Sequence, residues 1–224
     1  MEKIIRVENI NKRYDDNIIF EDFKIDFEEN KINCILGKSG CGKTTLLNII
    51  SGVIENDKEN FKCIEELGIS YIFQDDRLID WLTVEYNIKL VIKRHYNKNE
   101  INELCDKYLK LVGIYEYKNY YPQRLSGGIR QRVNIARAFI YPSKVIIMDE
   151  PFNSIDIKNK MIIMDNFKQI LEKDNRTVLF VTHDIDEALY LGDTGFVLGD
   201  RPVKIKKVFN NIKDMDKETI SEYI

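Results

Sequence analysis

No stretch of this 224-residue chain approaches the roughly 20 consecutive apolar residues that a bilayer-crossing helix requires. Its first residues, Met1-Glu2-Lys3-Ile4-Ile5-Arg6, lack the apolar centre of a secretory signal, so the chain is expected to stay in the cytosol. The four cysteines, Cys34, Cys41, Cys63 and Cys105, contain no CxxC pair, which removes the basis for a zinc site or a disulfide framework and leaves reduced thiols. Basic residues do not outnumber acidic ones. The 34 Lys and Arg against 37 Asp and Glu give a net charge of −3, unlike a protein that binds nucleic acid through a broad basic face, and no nucleic-acid partner is expected. No Pro-rich, Ser-rich or repeated tract points to disorder or a solenoid.

The chain that remains is an ordinary globular sequence, 44% hydrophobic and 32% charged, and long enough to bury a sizeable core. Alternation in Ile4-Ile5-Arg6-Val7 and Phe23-Lys24-Ile25-Asp26-Phe27 predicts half-buried antiparallel strands, with a turn at Asp15-Asp16-Asn17. Lys31 to Leu36 is a continuous apolar strand ending at Gly37, and a helix is expected over Thr44 to Ser51. Ser70 to Phe73 is a short strand candidate. Lys144 to Met148 and Thr177 to Val181 have the unbroken apolar character of strands covered on both faces, which predicts a parallel α/β core. Between Asp76 and Pro142 the pattern turns helical, over Val84 to His95, Lys98 to Val112 and Gly128 to Ile140. A hairpin is expected across Gly195-Gly199, the turn Asp200-Arg201-Pro202 and Val203-Val208, and a short charged helix or tail from Asp214 to Ile224.

Chemistry concentrates at the strand ends. Gly37-Lys38-Ser39-Gly40-Cys41-Gly42-Lys43-Thr44 matches G-x-x-x-x-G-K-[ST] with a strand before it and a helix after it, the context in which that spacing cradles phosphates. The glycines let backbone N–H groups face the β-phosphate, Lys43 sets a point charge on the β and γ phosphates, and Thr44 offers a hydroxyl to Mg²⁺. Cys41 lies in this loop just before a helix, where a thiol pKa tends to fall, and alkylating it is expected to block nucleotide binding. Val145 to Glu150 is a buried strand ending in two acids. Asp149 would hold Mg²⁺, and Glu150 would orient the attacking water.

Three further positions keep two readings each. Gln74, following a strand, is a sensor of metal or water, or plain surface. His183, after Phe180-Val181-Thr182, is a donor to the γ-phosphate or a cap for the helix starting near Asp184. Tyr14 is an adenine-stacking ring or a core or surface residue. His95, among charged residues, reads as surface. The run Leu125-Ser126-Gly127-Gly128-Ile129-Arg130-Gln131-Arg132 opens a helix with bare N–H groups, a hydroxyl and no carboxylate in its first turn, a second place where an anion is favoured.

These motifs, in this order, resemble the ATP-binding subunits of ABC transporters over essentially the whole chain. The resemblance implies an α/β fold: a P-loop NTPase core of mixed, largely parallel sheet with helices, an N-terminal antiparallel β layer and an inserted helical subdomain. It implies one domain over 1–224, with 1–75 and 143–224 as nucleotide-binding core and 76–142 as helical subdomain. Gly37 to Thr44 is similar to Walker A, with Thr45 beside it, Gln74 to the Q-loop, Leu125 to Gln131 to the signature, Val145 to Glu150 to Walker B, Ser154 to Asp156 to the D-loop and His183 to the switch histidine. ATP and Mg²⁺ are then the implied cofactors, with Glu150, His183 and Lys43 catalytic, and Thr44, Gln74 and Asp149 at the metal. Ser126, Gly127 and Gly128 are implied to bind the γ-phosphate held by a second copy of the chain, so that two ATP molecules join a head-to-tail dimer.

A finer likeness, in Tyr71-Ile72-Phe73-Gln74-Asp75-Asp76-Arg77-Leu78 and Trp81-Leu82-Thr83-Val84, is to importer ATPases for nitrate, sulfonate, taurine and bicarbonate, with importers of thiamine-precursor pyrimidines and riboflavin-like compounds sharing the pattern. It implies a peripheral subunit at the cytoplasmic face of the cell membrane, bound to permease subunits and served by an external substrate-binding protein. Trp81 is either the anchor to that permease or a packing residue. The competing class, a soluble ABC ATPase of repair or translation, usually carries two cassettes or a long inserted coiled coil, and neither is present.

Overall fold

A computed structural model describes residues 3–59, 61, 64, 68–153, 155–171 and 175–224. Cys63 and Ser154, singled out above, lie outside the described residues. Strands β1 (Ile4–Tyr14) and β2 (Asn17–Glu28) pair antiparallel as a separate two-stranded sheet, turning at Asp15 and Asp16 as expected. The remaining strands are β3 (Ile32–Leu36), β4 (Ile69–Ile72), β5 (Val145–Asp149), β6 (Thr177–Val181), β7 (Thr194–Gly199) and β8 (Lys204–Phe209). They form one sheet in the order β4-β5-β6-β3-β7-β8, parallel throughout except for the terminal β7–β8 hairpin.

Strands β3, β5 and β6 are buried along their whole length. Their side chains alternate between two cores, as the two-residue period of a strand requires. Val145, Ile147, Leu179 and Val181 pack with the β1–β2 layer and helix α1 (Lys43–Ile50), while Ile146, Met148, Val178 and Phe180 pack on the other face. That second face carries α5 (Ile157–Leu171), through Phe167, and α6 (Ile185–Leu191). Helix α5 is absent from the sequence expectations. Its apolar residues fall on two sides, with Ile163, Met164 and Phe167 buried but Ile157, Met161 and Ile162 exposed, so no single stripe marks it.

Between β4 and β5 the chain forms α2 (Val84–Ile92), α3 (Lys98–Leu111) and α4 (Gly127–Ile140), which contact one another in all three pairings. Helix α3 begins with a capping box in which Asn97 and Glu100 satisfy each other's backbone N–H groups. Helix α7 (Lys217–Ser221) follows the hairpin near the end of the chain. The carboxyl ends of β5, β6 and β3 are adjacent in the sheet, so the segments after Asp149, Val181 and Leu36 emerge side by side. Ligand sites in open α/β sheets collect at this edge.

Candidate nucleotide site

The loop after β3 is shaped by close backbone approach. Gly37 has φ +150°, and a Cβ built on it would lie 2.5 Å from the carbonyl oxygen of Leu198 in β7. Gly42, with φ +117°, precedes α1, whose first turn has no acidic residue and whose N-cap offers no side-chain hydrogen bond. No acidic side chain of α1 itself therefore competes for its first N–H groups, and its positive end faces the loop. Lys43 is buried, and its Nζ donates to the carbonyls of Gly37 at 2.7 Å and Lys38 at 3.0 Å. The ammonium is thus held inside the turn.

Cys41 does not have the setting expected of it. Its thiol packs in the apolar core with Ile35, Leu46 and Phe20, and its N–H donates to the Lys38 carbonyl at 3.2 Å. A loop that turns its phosphate-facing groups outward points this side chain inward, and its burial corrects the expectation that alkylation reaches it in the folded protein.

The loop forms one wall of a cleft of about 350 Å³. Ser39, Gly40, Gly42, Lys43, Thr44 and Thr45 line it from the loop side, and Tyr14, Gln74 and Glu150 from the others. Tyr14 is 44% exposed, so its ring is not committed to the core, and the Lys12 ammonium lies 5.6 Å from the ring centroid. Two lining residues escaped the sequence reading, Ile19 and Arg201. Arg201 Nη2 donates to the Gly40 carbonyl at 2.6 Å, tying the turn after β7 to the phosphate loop. A charged residue in a turn carries no sequence signal for such a role.

Both acids stand where β5 ends. Asp149 is buried, and its Oδ1 accepts the Thr44 hydroxyl at 3.2 Å. Burial raises its carboxyl pKa above the ordinary value, with the Glu150 charge adding to the rise while the Thr44 hydroxyl and the Lys43 charge oppose it. Glu150 has φ +48°, a left-handed conformation that is uncommon for a side-chain-bearing residue, and its N–H donates to the Val181 carbonyl at 3.0 Å. Its carboxylate lies between two partners: Oε1 is 3.3 Å from His183 Nδ1, and Oε2 accepts from Asn153 Nδ2. The alternative role for His183 as a helix cap is not what the structure shows, because Asp184 caps α6 by accepting from the Asp186 N–H at 2.9 Å.

The anion-attracting run at Ser126 opens α4. Ser126 is the N-cap yet makes no capping hydrogen bond with its side chain, and Ser126 to Gly128 do not line the cleft. Helix α4 is instead fastened to the rest of the chain. Gln131 Nε2 donates to the Pro151 carbonyl at 2.8 Å, one residue beyond Glu150. Arg130 forks onto Asp76 at 2.6 and 3.1 Å, Arg137 donates to the carbonyls of Arg77 and Asp76 at 2.9 and 3.1 Å, and Asn134 Nδ2 donates to the Phe73 carbonyl at 3.3 Å. The segment flanking Gln74 is therefore fastened to α4 on both sides of that residue.

Beyond it, the buried Asn87 side chain accepts from the Ile79 N–H at 2.8 Å and donates to the carbonyls of Ile79, Leu82 and Thr83, each at 3.1 Å. This clasp holds Trp81 outward, 80% exposed, which rules out a packing role for its ring.

A family profile described as ABC transporter matches residues 20–153, more than half of the chain. The chain belongs to the ABC transporter family. The chain is 40% identical over 210 residues to the Fe(3+) ions import ATP-binding protein FbpC of Fusobacterium nucleatum, an alignment covering 89% of this chain and 57% of that relative. It thus spans little more than half the length of that protein. It is 36% identical over 201 residues to the aliphatic sulfonates import ATP-binding protein SsuB 1 of Pseudomonas savastanoi, covering 90% of this chain and 83% of the relative. Among solved structures, a dimeric ATP-binding cassette in a post-hydrolysis state bound to ADP and Pi matches with a TM-score of 0.80 and 28% identity, covering 94% of this chain and all of that one. The ABC cassette fold, α/β with an antiparallel layer and a helical insertion, is the fold of this chain.

Proposed function

We propose that the chain is the ATP-hydrolysing, energy-coupling subunit of an ABC importer for a small solute. The observation that carries this reading is the Glu150 carboxylate, 3.3 Å from His183 Nδ1 and on the wall of the same cleft as the Lys43 ammonium. A carboxylate so placed accepts a hydrogen bond from the attacking water, and the imidazole beside it holds water and γ-phosphate in register. Lys43 supplies fixed positive charge against the phosphates, Gly37 to Thr45 wrap them, and the Tyr14 ring stacks on the base.

The Thr44 hydroxyl and Asp149 carboxylate, already 3.2 Å apart, form a pair of hard oxygen donors that suits Mg²⁺, with the Gln74 amide at the same cleft. When bound, Mg²⁺ neutralises charge developing on the phosphates.

The nucleotide-binding core is assigned to 1–75 and 143–224 and the helical subdomain to 76–142, all within one domain over 1–224. Ser126, Gly127 and Gly128 serve the site of a second copy, so the working unit is a head-to-tail dimer with two shared ATP molecules. The dimeric cassette structure supports this. Trp81 and the half-exposed Tyr86 and Tyr120 offer permease subunits an aromatic surface, where such residues act as anchors. The names of the relatives, import ATP-binding proteins for aliphatic sulfonates and for Fe(3+) ions, support import of a small solute; a solute of the sulfonate, nitrate, taurine or thiamine-precursor kind, delivered by an external binding protein, rests on the likeness at residues 71–78 and 81–84. Among the described residues no helix is long and apolar enough to cross a membrane, in keeping with a peripheral subunit at the cytoplasmic face.

The test is Glu150→Gln with Mg-ATP. Turnover is expected to collapse while sedimentation reports a stable dimer; a variant that stays monomeric at saturating nucleotide would overturn the shared-site reading.

A further inference from the structure

A partly buried charge cluster flanks His183. Lys160 sits in the first turn of α5, and its N–H donates to the Asp156 carbonyl at 2.8 Å. Its ammonium crosses to the loop after β6, donating to Asp184 Oδ2 at 2.7 Å and meeting Glu187 Oε1 in an ion contact outside hydrogen-bond geometry. Glu187 is 2% exposed, and its other oxygen accepts the Thr182 hydroxyl at 2.6 Å. That same hydroxyl accepts the Asp184 N–H at 3.0 Å. Residues 182 and 184, on either side of His183, are therefore both fixed to a network centred on one lysine from another element. Asp156, which begins that element, is in turn bonded to Asn159 through its N–H at 3.1 Å and its side-chain amide at 2.6 Å. Hydrogen bonds thus run from Asp156 through Lys160 to Asp184 and on to Thr182, the residues on either side of His183.

We propose that Lys160 is a positioning residue for His183: it sets the imidazole against Glu150 and transmits the placement of the Asp156 turn to the hydrolytic water. The inference rests on the hydrolytic reading above. A surface ion pair would not be expected to do this, because exposed pairs are weak and mobile. This one differs in geometry: the lysine is largely covered, one of its two acids, Glu187 in the first turn of α6, is fully buried, and the other, Asp184, follows His183 directly. Removing the ammonium leaves two carboxylates facing each other, which drives Asp184 and Glu187 apart and swings the residue between them. Displacements of about 1 Å at catalytic groups can cost about 100-fold in rate.

The experiment compares Lys160→Met with Lys160→Arg by steady-state Mg-ATP hydrolysis and by NMR of protein labelled at histidine. The chain has 2 histidines, so the His183 and His95 resonances are separable. Lys160→Met is expected to lower kcat by at least about tenfold with KM for ATP within about twofold, and to shift the His183 resonance while His95 stays put. Lys160→Arg is expected to restore both. Combined with His183→Ala, the methionine variant should cost nothing further, since it acts through the same residue.

Should Lys160→Met fail to fold, Lys160→Gln with Glu187→Gln removes one charge of each sign and carries the same two readouts. An unchanged His183 resonance, or additive losses in the double variant, would overturn the positioning role. If the unaltered protein hydrolyses no ATP, the hydrolytic reading falls, and the resonance comparison still decides whether Lys160 sets the imidazole.

Discussion

Replacing Gly37 by alanine places a methyl group 2.5 Å from the Leu198 carbonyl oxygen, roughly 0.7 Å inside ordinary contact, at a backbone φ of +150° that L residues rarely adopt. Neither partner yields easily, because the oxygen belongs to the backbone of Leu198 in β7 and Gly37 is anchored to Lys43 through its own carbonyl at 2.7 Å. Strain of this kind costs about 1–3 kcal/mol for the dihedral, and a comparable overpacking cost raises the total to about 3 kcal/mol or more. For a domain of this length, 1 kcal/mol corresponds to about 2–4 °C, so Gly37→Ala is expected to lower Tm by about 6–12 °C. Gly40→Ala is the control. Its φ is +74°, but a Cβ there meets nothing within 4 Å, so only the dihedral term applies, about 1 kcal/mol and about 2–4 °C. The two variants should separate again in ATP affinity, because relieving the Leu198 clash moves the carbonyl that holds the Lys43 ammonium. Scanning calorimetry and nucleotide titration measure both quantities. Equal Tm values for the two variants would refute the argument from close approach.

Asp184→Asn keeps the cap of α6 but removes a charge. Burial acts to raise the Asp184 pKa, yet the Lys160 hydrogen bond and charge, with the N–H groups at the helix start, outweigh it and hold the value below the ordinary range. A depressed folded pKa gives stability that is present above about pH 4 and is lost as pH falls through the folded value. The variant should therefore melt below the parent at pH 7, with the gap closing in acid, as thermal denaturation at several pH values would show. Arg130→Met removes a fork onto Asp76 between side chains 32% and 23% exposed, so about 1 kcal/mol is expected at most, together with faster hydrogen exchange over residues 74–78. Phe167→Ala empties a site where the ring lies edge-on to Phe139 at 4.7 Å and Phe152 at 6.3 Å, at a cost of about 3–5 kcal/mol read by urea denaturation. Cys41 should resist iodoacetamide in the native protein and react on unfolding, which mass spectrometry can follow.

What was legible in the sequence is what local pattern determines. Strand β6 over Thr177 to Val181 is found at its expected bounds, because an apolar run flanked by polar residues has one reading in a sheet covered on both faces. The phosphate loop was legible for a related reason: strand, glycines and helix are consecutive in the chain. Helix α5 was not, since exposed Ile157, Met161 and Ile162 mask the stripe made by Ile163, Met164 and Phe167. Arg201 at the cleft, Asn87 beneath Trp81 and Lys160 behind His183 were invisible for a different reason. Each acts on a backbone or side chain brought near only by folding, in pairs such as Arg201 with Gly40 and Lys160 with Asp184. Cys41 shows the limit of motif reading: the loop spacing locates the residue, while the direction of its side chain follows from which neighbours are apolar.

The position of Ser126 follows from the bonds behind it. Helix α4 is fixed through Gln131 to Pro151 and through Arg130, Asn134 and Arg137 to the segment 73–77, so its N-terminus cannot turn toward the cleft of its own chain without breaking a set of hydrogen bonds that includes a buried one. Breaking a buried polar pair costs more than an exposed one, because a donor or acceptor is left without water. The same bonds place Gln131 one residue from the segment bearing Glu150 and place Arg130 two residues from Gln74 through Asp76. A helix start with no carboxylate in its first turn, held away from its own phosphate loop and bonded to Pro151 beside Glu150 and to Phe73 and Asp76 on either side of Gln74, has the connections that the proposed shared site requires if closure is to be felt at Glu150.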